Sequence, residues 1–195
     1  MKLCDEPIKV GARASLLSKI QVLEVENLIK KTHPEVSFTC NWIETKGDKD
    51  QTTSLVNLEN SDFFTHEIDQ ALLQEKVHIC IHSAKDLPHP LPKGLKQIAL
   101  TKGLSPLDSL VIPANKSMNT MPKKSRIGTS SIRRRDSVRK IFPDAEIIDI
   151  RGTIQERLNK LLVGVLDGVV IAEAALIRLG LVHLNRLALD GPFAL

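Results

Sequence analysis

With 195 residues, 42% of them apolar and 26% charged, the chain has room for one large domain or two small ones and is too apolar to be disordered. Its net charge of +4 admits a polyanionic partner, but aromatics make up only 3% and are not interleaved with the basic residues, which argues against nucleic acid. The longest apolar runs, such as 168–172, are too short to cross a bilayer, and residues 1–6 lack a charged-then-apolar leader, so the expectation is a cytoplasmic protein with no membrane partner.

Along the chain, Lys9 to Ala12 reads as a strand, followed by a helix over Ser15–Lys31 with its apolar positions at Leu17, Ile20, Val22, Leu23 and Leu28. His33-Pro34 breaks that helix, and Ser37–Glu44 alternates as a strand. Lys46–Asn60 is polar and aperiodic, a predicted loop. A helix over Phe63–Gln74 and a buried strand over Val77–His82 come next, then a stiff non-helical run from Leu87 to Pro92. Strands are expected near Gln97–Thr101 and Ser109–Pro113, with a polar linker over Ala114–Ser125. Three strand-then-helix units complete the pattern: Arg126–Thr129 with Ser131–Phe142, Ala145–Ile150 with Thr153–Val163, and Gly168–Ala172 with Ala174–Leu179. Such alternation predicts an α/β fold of mainly parallel sheets with crossover helices, divided into lobes over residues 1–103 and 104–195.

In sheets of this kind, ligands bind outside the carboxyl ends of the strands. Nine of the ten arginines fall at or after Arg126, and clustered guanidinium groups suit carboxylates or phosphates. Gly128-Thr129-Ser130-Ser131-Ile132-Arg133-Arg134-Arg135 joins a strand end to a helix start, where hydroxyl residues cap the helix. Three arginines facing the positive end of a helix dipole cost about 0.3–1 kcal/mol each unless an anion sits there. Solvated arginines beside an ordinary cap are the plainer reading. Arg151-Gly152-Thr153 with Arg157 repeats the arrangement at the next strand end, and the two together predict a pocket for a ligand with several acidic groups. In the first lobe, Arg13-Ala14-Ser15 and His82-Ser83-Ala84-Lys85-Asp86 stand at strand ends. Lys85 and Asp86 read either as a surface pair or as an acid placed to stabilise a cationic intermediate.

The sequence holds no GxxxxGK[ST] or GxGxxG motif and no HExxH spacing. Cys4, Cys40 and Cys80 are few and far apart, which predicts free thiols and no metal site.

In order and spacing these motifs resemble those of the porphobilinogen deaminases (hydroxymethylbilane synthases). The similarity rests on Arg13-Ala14-Ser15-Leu16-Leu17 with Gln21, Thr45-Lys46-Gly47-Asp48, His82 to Pro88, Gly128 to Arg134, Arg151-Gly152-Thr153 with Arg157, and Arg178-Leu179-Gly180. The resemblance implies two lobes like type II periplasmic-binding-protein domains. It also implies joining of four porphobilinogen molecules into a linear tetrapyrrole with release of ammonia, in porphyrin and heme biosynthesis. Asp86 would be the catalytic carboxylate. Arg13, Ser15, Arg151, Gly152, Arg157 and Arg178 would bind substrate. Ser83, Lys85, Thr129, Ser130, Ser131, Arg133 and Arg134 would hold a dipyrromethane cofactor.

Several positions depart from the family's pattern. The cysteine that carries the cofactor lies on a third domain, downstream of everything in this sequence, and neither Cys4, Cys40 nor Cys80 stands in its context. Glu59-Asn60-Ser61-Asp62 replaces a glycine- and lysine-rich stretch, Thr153 stands where asparagine is usual, and Glu173 replaces an apolar residue. The alternative expectation is therefore a non-catalytic binder of pyrroles, tetrapyrroles or other polycarboxylates. A solute-binding protein of the same architecture is a further alternative, and a monomer or weak self-association is expected.

Overall fold

The computed structural model describes residues 6–50, 52, 53, 58 and 61–189. They fall into two compact units, one within 1–50 and 58–102 and the other within 51–57 and 103–195. The division expected from the sequence is 1–103 and 104–195.

In the first unit, β1 (Ile8–Arg13) leads through Ser15 into α1 (Leu16–Lys30), whose first turn is capped by the Ser15 hydroxyl accepting from the Ser18 N–H at 3.2 Å. β2 (Phe38–Ile43), the short α2 (Lys46–Lys49), α3 (His66–Leu73) and β3 (Ile79–Cys80) follow. The strands form a parallel sheet in the order β2-β1-β3, with Val10 opposite Cys40 on one side and Ile79 on the other. Parallel strands with helices between them bury both faces. Accordingly Val10, Ala12 and Val22 are buried, with Ile8, Phe38 and Ile81 packed against them. A 3-10 turn, Ala84–Asp86, stands just beyond β3.

The second unit contains β4 (Asp108–Val111), β5 (Arg126–Gly128), α4 (Ile132–Ile141), β6 (Glu146–Ile148), α5 (Ile154–Leu162), β7 (Gly168–Ala172), α6 (Glu173–Arg178) and β8 (Arg186–Leu189). Their order in the sheet is β6-β5-β7-β4-β8. β6, β5 and β7 run parallel, whereas β4 lies antiparallel to both β7 and β8. The core joins Leu110, Ile127 and Val170 of the strands to Val138 and Phe142 of the α4 region.

Two expectations need correction. Residues 97–101 form no strand, and Ile98 and Leu100 are 77% and 71% exposed. Their alternating pattern has no ladder partner among the described residues, and alternation alone cannot make a strand. Conversely β8 was not foreseen. Its four residues gain their place by pairing with β4, a long-range fact that local pattern does not carry. The predicted loop after Thr45 also contains α2, a single turn closed by a capping box between Thr45 and Asp48.

Candidate active site

In the first unit all three strands point their carboxyl ends the same way, and each end carries part of a polar cluster. Arg13 is the last residue of β1, and its guanidinium grips the carboxylate of Asp48, which follows β2. The Arg13 Nε lies 3.2 and 3.3 Å from the two Asp48 oxygens, with a second bond from Nη2. The Asp48 carboxylate also accepts from the Thr45 N–H at 3.0 Å and the Thr45 hydroxyl at 2.8 Å. Burial alone would raise the Asp48 pKa, but these hydrogen bonds and the Arg13 charge outweigh it and hold the carboxyl below its ordinary range. The Arg13 guanidinium lies 4.5 Å from the Phe64 ring centre. Gly47 is required here, because a Cβ would collide with the Phe64 ring. The motif Thr45-Lys46-Gly47-Asp48 thus orients Arg13.

The Asp86 turn leaves the end of β3. It is anchored by Ser83, whose hydroxyl accepts from the Gln21 amide at 2.9 Å, and by the Asp86 N–H donating to the Ser83 carbonyl at 2.9 Å. Ser15 and Ser83 therefore already hold structural hydrogen bonds, one as a helix cap and one as an anchor. Lys85 is exposed on the turn, while Asp86 is half-buried. Among the described residues, the Asp86 carboxylate accepts no protein hydrogen bond.

In the second unit the parallel strands β5, β6 and β7 bring Thr129–Ser131, Arg151–Thr153 and Glu173 to one edge of the sheet. Because β4 runs the opposite way, its first residue, Asp108, pairs with Ala172 and reaches that same edge. There Asp108, 7% exposed, accepts from Arg133 Nη2 at 2.8 Å and from Arg134 Nη2 at 2.7 Å. The expected anion at the first turn of α4 is thus supplied, at least in part, by the protein itself. Sequence reasoning missed Asp108 because its role depends on strand direction. Arg134 Nε and Arg135 Nε remain buried donors without an acceptor among the described residues.

Ser131 caps α4 weakly, its Oγ 3.5 Å from the Arg134 N–H. Thr129 is buried, with its hydroxyl accepting from the Ser131 N–H at 3.3 Å. The Ser130 hydroxyl is committed to the backbone of Ile150, so it ties two strand ends together. Arg151, 9% exposed, donates to the Thr53 carbonyl at 2.6 Å, and Arg157 Nε donates to the Gly152 carbonyl at 2.9 Å. Gly152 has φ +99°, and a Cβ there would lie 2.6 Å from Glu156 Oε2, so the glycine serves the turn geometry as well as any close ligand approach. Arg178 closes α6, at the opposite end of that helix from Glu173.

Two departures from the family pattern have local partners. Thr153 caps α5, and Glu156 Oε2 accepts from the Thr153 N–H at 2.6 Å and its hydroxyl at 2.9 Å. Glu173 binds Arg186 of β8 at 2.8–3.2 Å and accepts from the Ser109 hydroxyl. Hydrogen bonds from Arg186 and Ser109 hold its carboxyl below the ordinary range. The Glu59-Asn60 pair and Cys4 lie outside the described residues. Burial pushes the Cys80 thiol up to about 12, which makes it a poor nucleophile, and Cys40 is shifted the same way.

The sequence also matches, over residues 8–192, the profile described as porphobilinogen deaminase, dipyromethane cofactor binding domain. The chain belongs to the porphobilinogen deaminase family. A probable porphobilinogen deaminase of Chlamydia pneumoniae is 38% identical over 187 residues, covering 96% of this chain and 79% of its own length. Porphobilinogen deaminases of Nostoc sp. and Ehrlichia chaffeensis are 36% and 37% identical, covering 89% and 88% of this chain but 55% and 58% of their own. The chain thus spans little more than half the length of these two relatives.

Among solved structures, a probable amino-acid ABC transporter extracellular-binding protein from Bacillus subtilis aligns with 95% of this chain and 79% of its own. Its sequence identity is 16% and its TM-score 0.49. No helix among the described residues is long and apolar enough to cross a membrane.

The buried donors Arg134 Nε and Arg135 Nε, beside hydroxyls at a helix start, fit the carboxylates of a dipyrromethane. That chemistry agrees with the cofactor-binding domain named in the family profile.

Proposed function

We propose that this chain carries the porphobilinogen-polymerising activity of its family, hydroxymethylbilane synthesis in porphyrin and heme formation, with Asp86 as its catalytic carboxylate. The observation that carries the reading is the Asp86 carboxylate, held on a turn anchored through Ser83 and left without a protein hydrogen bond among the described residues. In each condensation the C–N bond of the protonated aminomethyl group breaks and ammonia leaves with the bonding pair. The pyrrole that remains is a cation with an exocyclic methylene, its charge shared with the ring nitrogen. A carboxylate beside it stabilises the charge and accepts the pyrrole N–H. The α-carbon of a second pyrrole supplies the pair for the new C–C bond, and its proton is released.

Arg13, Ser15, Arg151, Gly152, Arg157 and Arg178 bind the acetate and propionate groups of substrate in this reading. Arg13 is oriented for it by Asp48, and Arg157 by the Gly152 carbonyl. Ser83, Lys85, Thr129, Ser130, Ser131, Arg133 and Arg134 hold the dipyrromethane carboxylates. Ser83 and Ser130 contribute mainly by fixing the backbone, since their hydroxyls already have partners. When bound, the dipyrromethane supplies the pyrrole end from which the chain is extended. A cytoplasmic location suits such a reaction.

The test is intact mass before and after porphobilinogen, with porphyrin measured after oxidation. Turnover in the unaltered chain that drops by about a hundredfold or more in Asp86→Ala supports the reading. Full activity in Asp86→Ala would remove Asp86 from the reaction. Saturable ligand binding without turnover would leave a binder of polycarboxylates instead.

A further inference from the structure

α3 turns one charged residue into the interior. Its buried residues are Ile68, Asp69 and Ala71, and Asp69 is only 6% exposed. Facing it is His82, which lies between β3 and the Asp86 turn and whose side chain is 9% exposed. His82 Nε2 lies 4.0 Å from Asp69 Oδ1, and both Nε2 and Asp69 Oδ2 are buried without a hydrogen-bond partner. A buried ion pair lacking further hydrogen bonds is poorly compensated for the loss of water, whereas a neutral acid–imidazole pair is not penalised in this way. Nothing in the reaction described above uses either group, although an orphaned buried polar atom in a native fold calls for an explanation.

We propose that His82 and Asp69 are positioning residues for Asp86, a buried pair that fixes the strand end from which the Asp86 turn departs. The inference rests on the proposed role of Asp86.

Three charged groups act on His82: Asp69 from α3, Asp86 from its turn, and Arg13 from β1. Asp62 and His66 act on Asp69 in turn. Burial is the largest influence on each partner, lowering the His82 pKa and raising that of Asp69, and both shifts favour the neutral pair. Asp69 and Asp86 each oppose the burial of His82 by favouring its charged form.

Two measurements on the full chain test this. In the first, the His82 imidazole is titrated by NMR in the unaltered chain and in Asp86→Asn. The variant should move the His82 midpoint to lower pH, because it removes a nearby negative charge. A midpoint that does not move would overturn the proposal. In the second, porphobilinogen turnover is compared in the unaltered chain and in His82→Gln. A tenfold or larger fall in kcat with KM changed less than twofold is expected, because the pair touches no substrate carboxylate. Unchanged kcat, or a rise in KM alone, would overturn it. If His82→Gln does not fold, near-isosteric Asp69→Asn takes its place in the same comparison. If the unaltered chain itself shows no turnover, the reaction fails as a reading, and the NMR titration still decides whether the pair is coupled to Asp86.

Discussion

Asp108 holds two arginines much as a ligand carboxylate would, and it does so from a site with little access to water. Replacing it with alanine leaves Arg134, whose side chain is 12% exposed, without its main counter-charge. Arg133 is 38% exposed and regains solvent, so the expected loss is about 2–3 kcal/mol, below the range for a fully buried pair. Urea denaturation of Asp108→Ala should show this loss, and a saturating tricarboxylate should recover part of it. If the ligand raises the variant's midpoint no more than the parent's, Arg133 and Arg134 are not carboxylate ligands. The arginines were legible in the sequence because guanidinium groups clustered at a helix start are unusual. Asp108 was not, because Leu107-Asp108-Ser109 gives no sign that its strand runs against its neighbours. His82 was legible only as part of a motif, since burial and the facing Asp69 are properties of the packed unit.

At the scale of elements, the start of α5 couples backbone conformation to capping. Gly152 at φ +99° and the capping box of Thr153 with Glu156 share the Glu156 carboxylate. Gly152→Ala should cost about 1–2 kcal/mol, from strain at positive φ and displacement of Glu156. Thr153→Ala should cost about 1 kcal/mol through the lost cap. Because both changes disturb one group, the double variant should lose less than the sum in denaturant titrations, and strict additivity would contradict the shared role. Thr153→Asn should stay within about 0.5 kcal/mol of the parent, as asparagine caps equally well. Most strands and helices were legible from their apolar period, to within a few residues at their ends. Two failures had one cause, which is that pairing is not local. Gln97–Thr101 alternates but has no partner strand among the described residues, while Arg186–Leu189 shows little pattern and pairs with β4.

The whole molecule should lose stability in acid in two stages. Burial is the chief cause of the lowered His82 pKa, so its neutral form contributes stability that is complete above 6.5 and is lost as pH falls from there through the folded-state value. The carboxylates act at lower pH. Asp48 lies below its ordinary 3.8 because of Arg13 and Thr45, despite the opposing effect of burial. Asp167 lies below 3.8 mainly through its hydrogen bond from Arg126, and Glu173 below 4.5 mainly through Arg186. Each is a depressed acid, so its contribution is present above the ordinary value and disappears as pH falls through the lowered one. Asp69 runs the other way: burial raises its pKa, so acid relieves a cost there. Thermal melts from pH 7.5 to 2.5 should therefore show a shallow decline beginning below 6.5 and a steeper one below about 4.5. His82→Gln should remove the first stage and keep the second, whereas Asp48→Asn should shrink only the second. Asp48 stands in one unit and Asp167 and Glu173 in the other, so the steep stage belongs to both, and Asp48→Asn should leave most of it in place. A first stage that survives His82→Gln would assign the early proton uptake to another group and remove the buried neutral imidazole from the account.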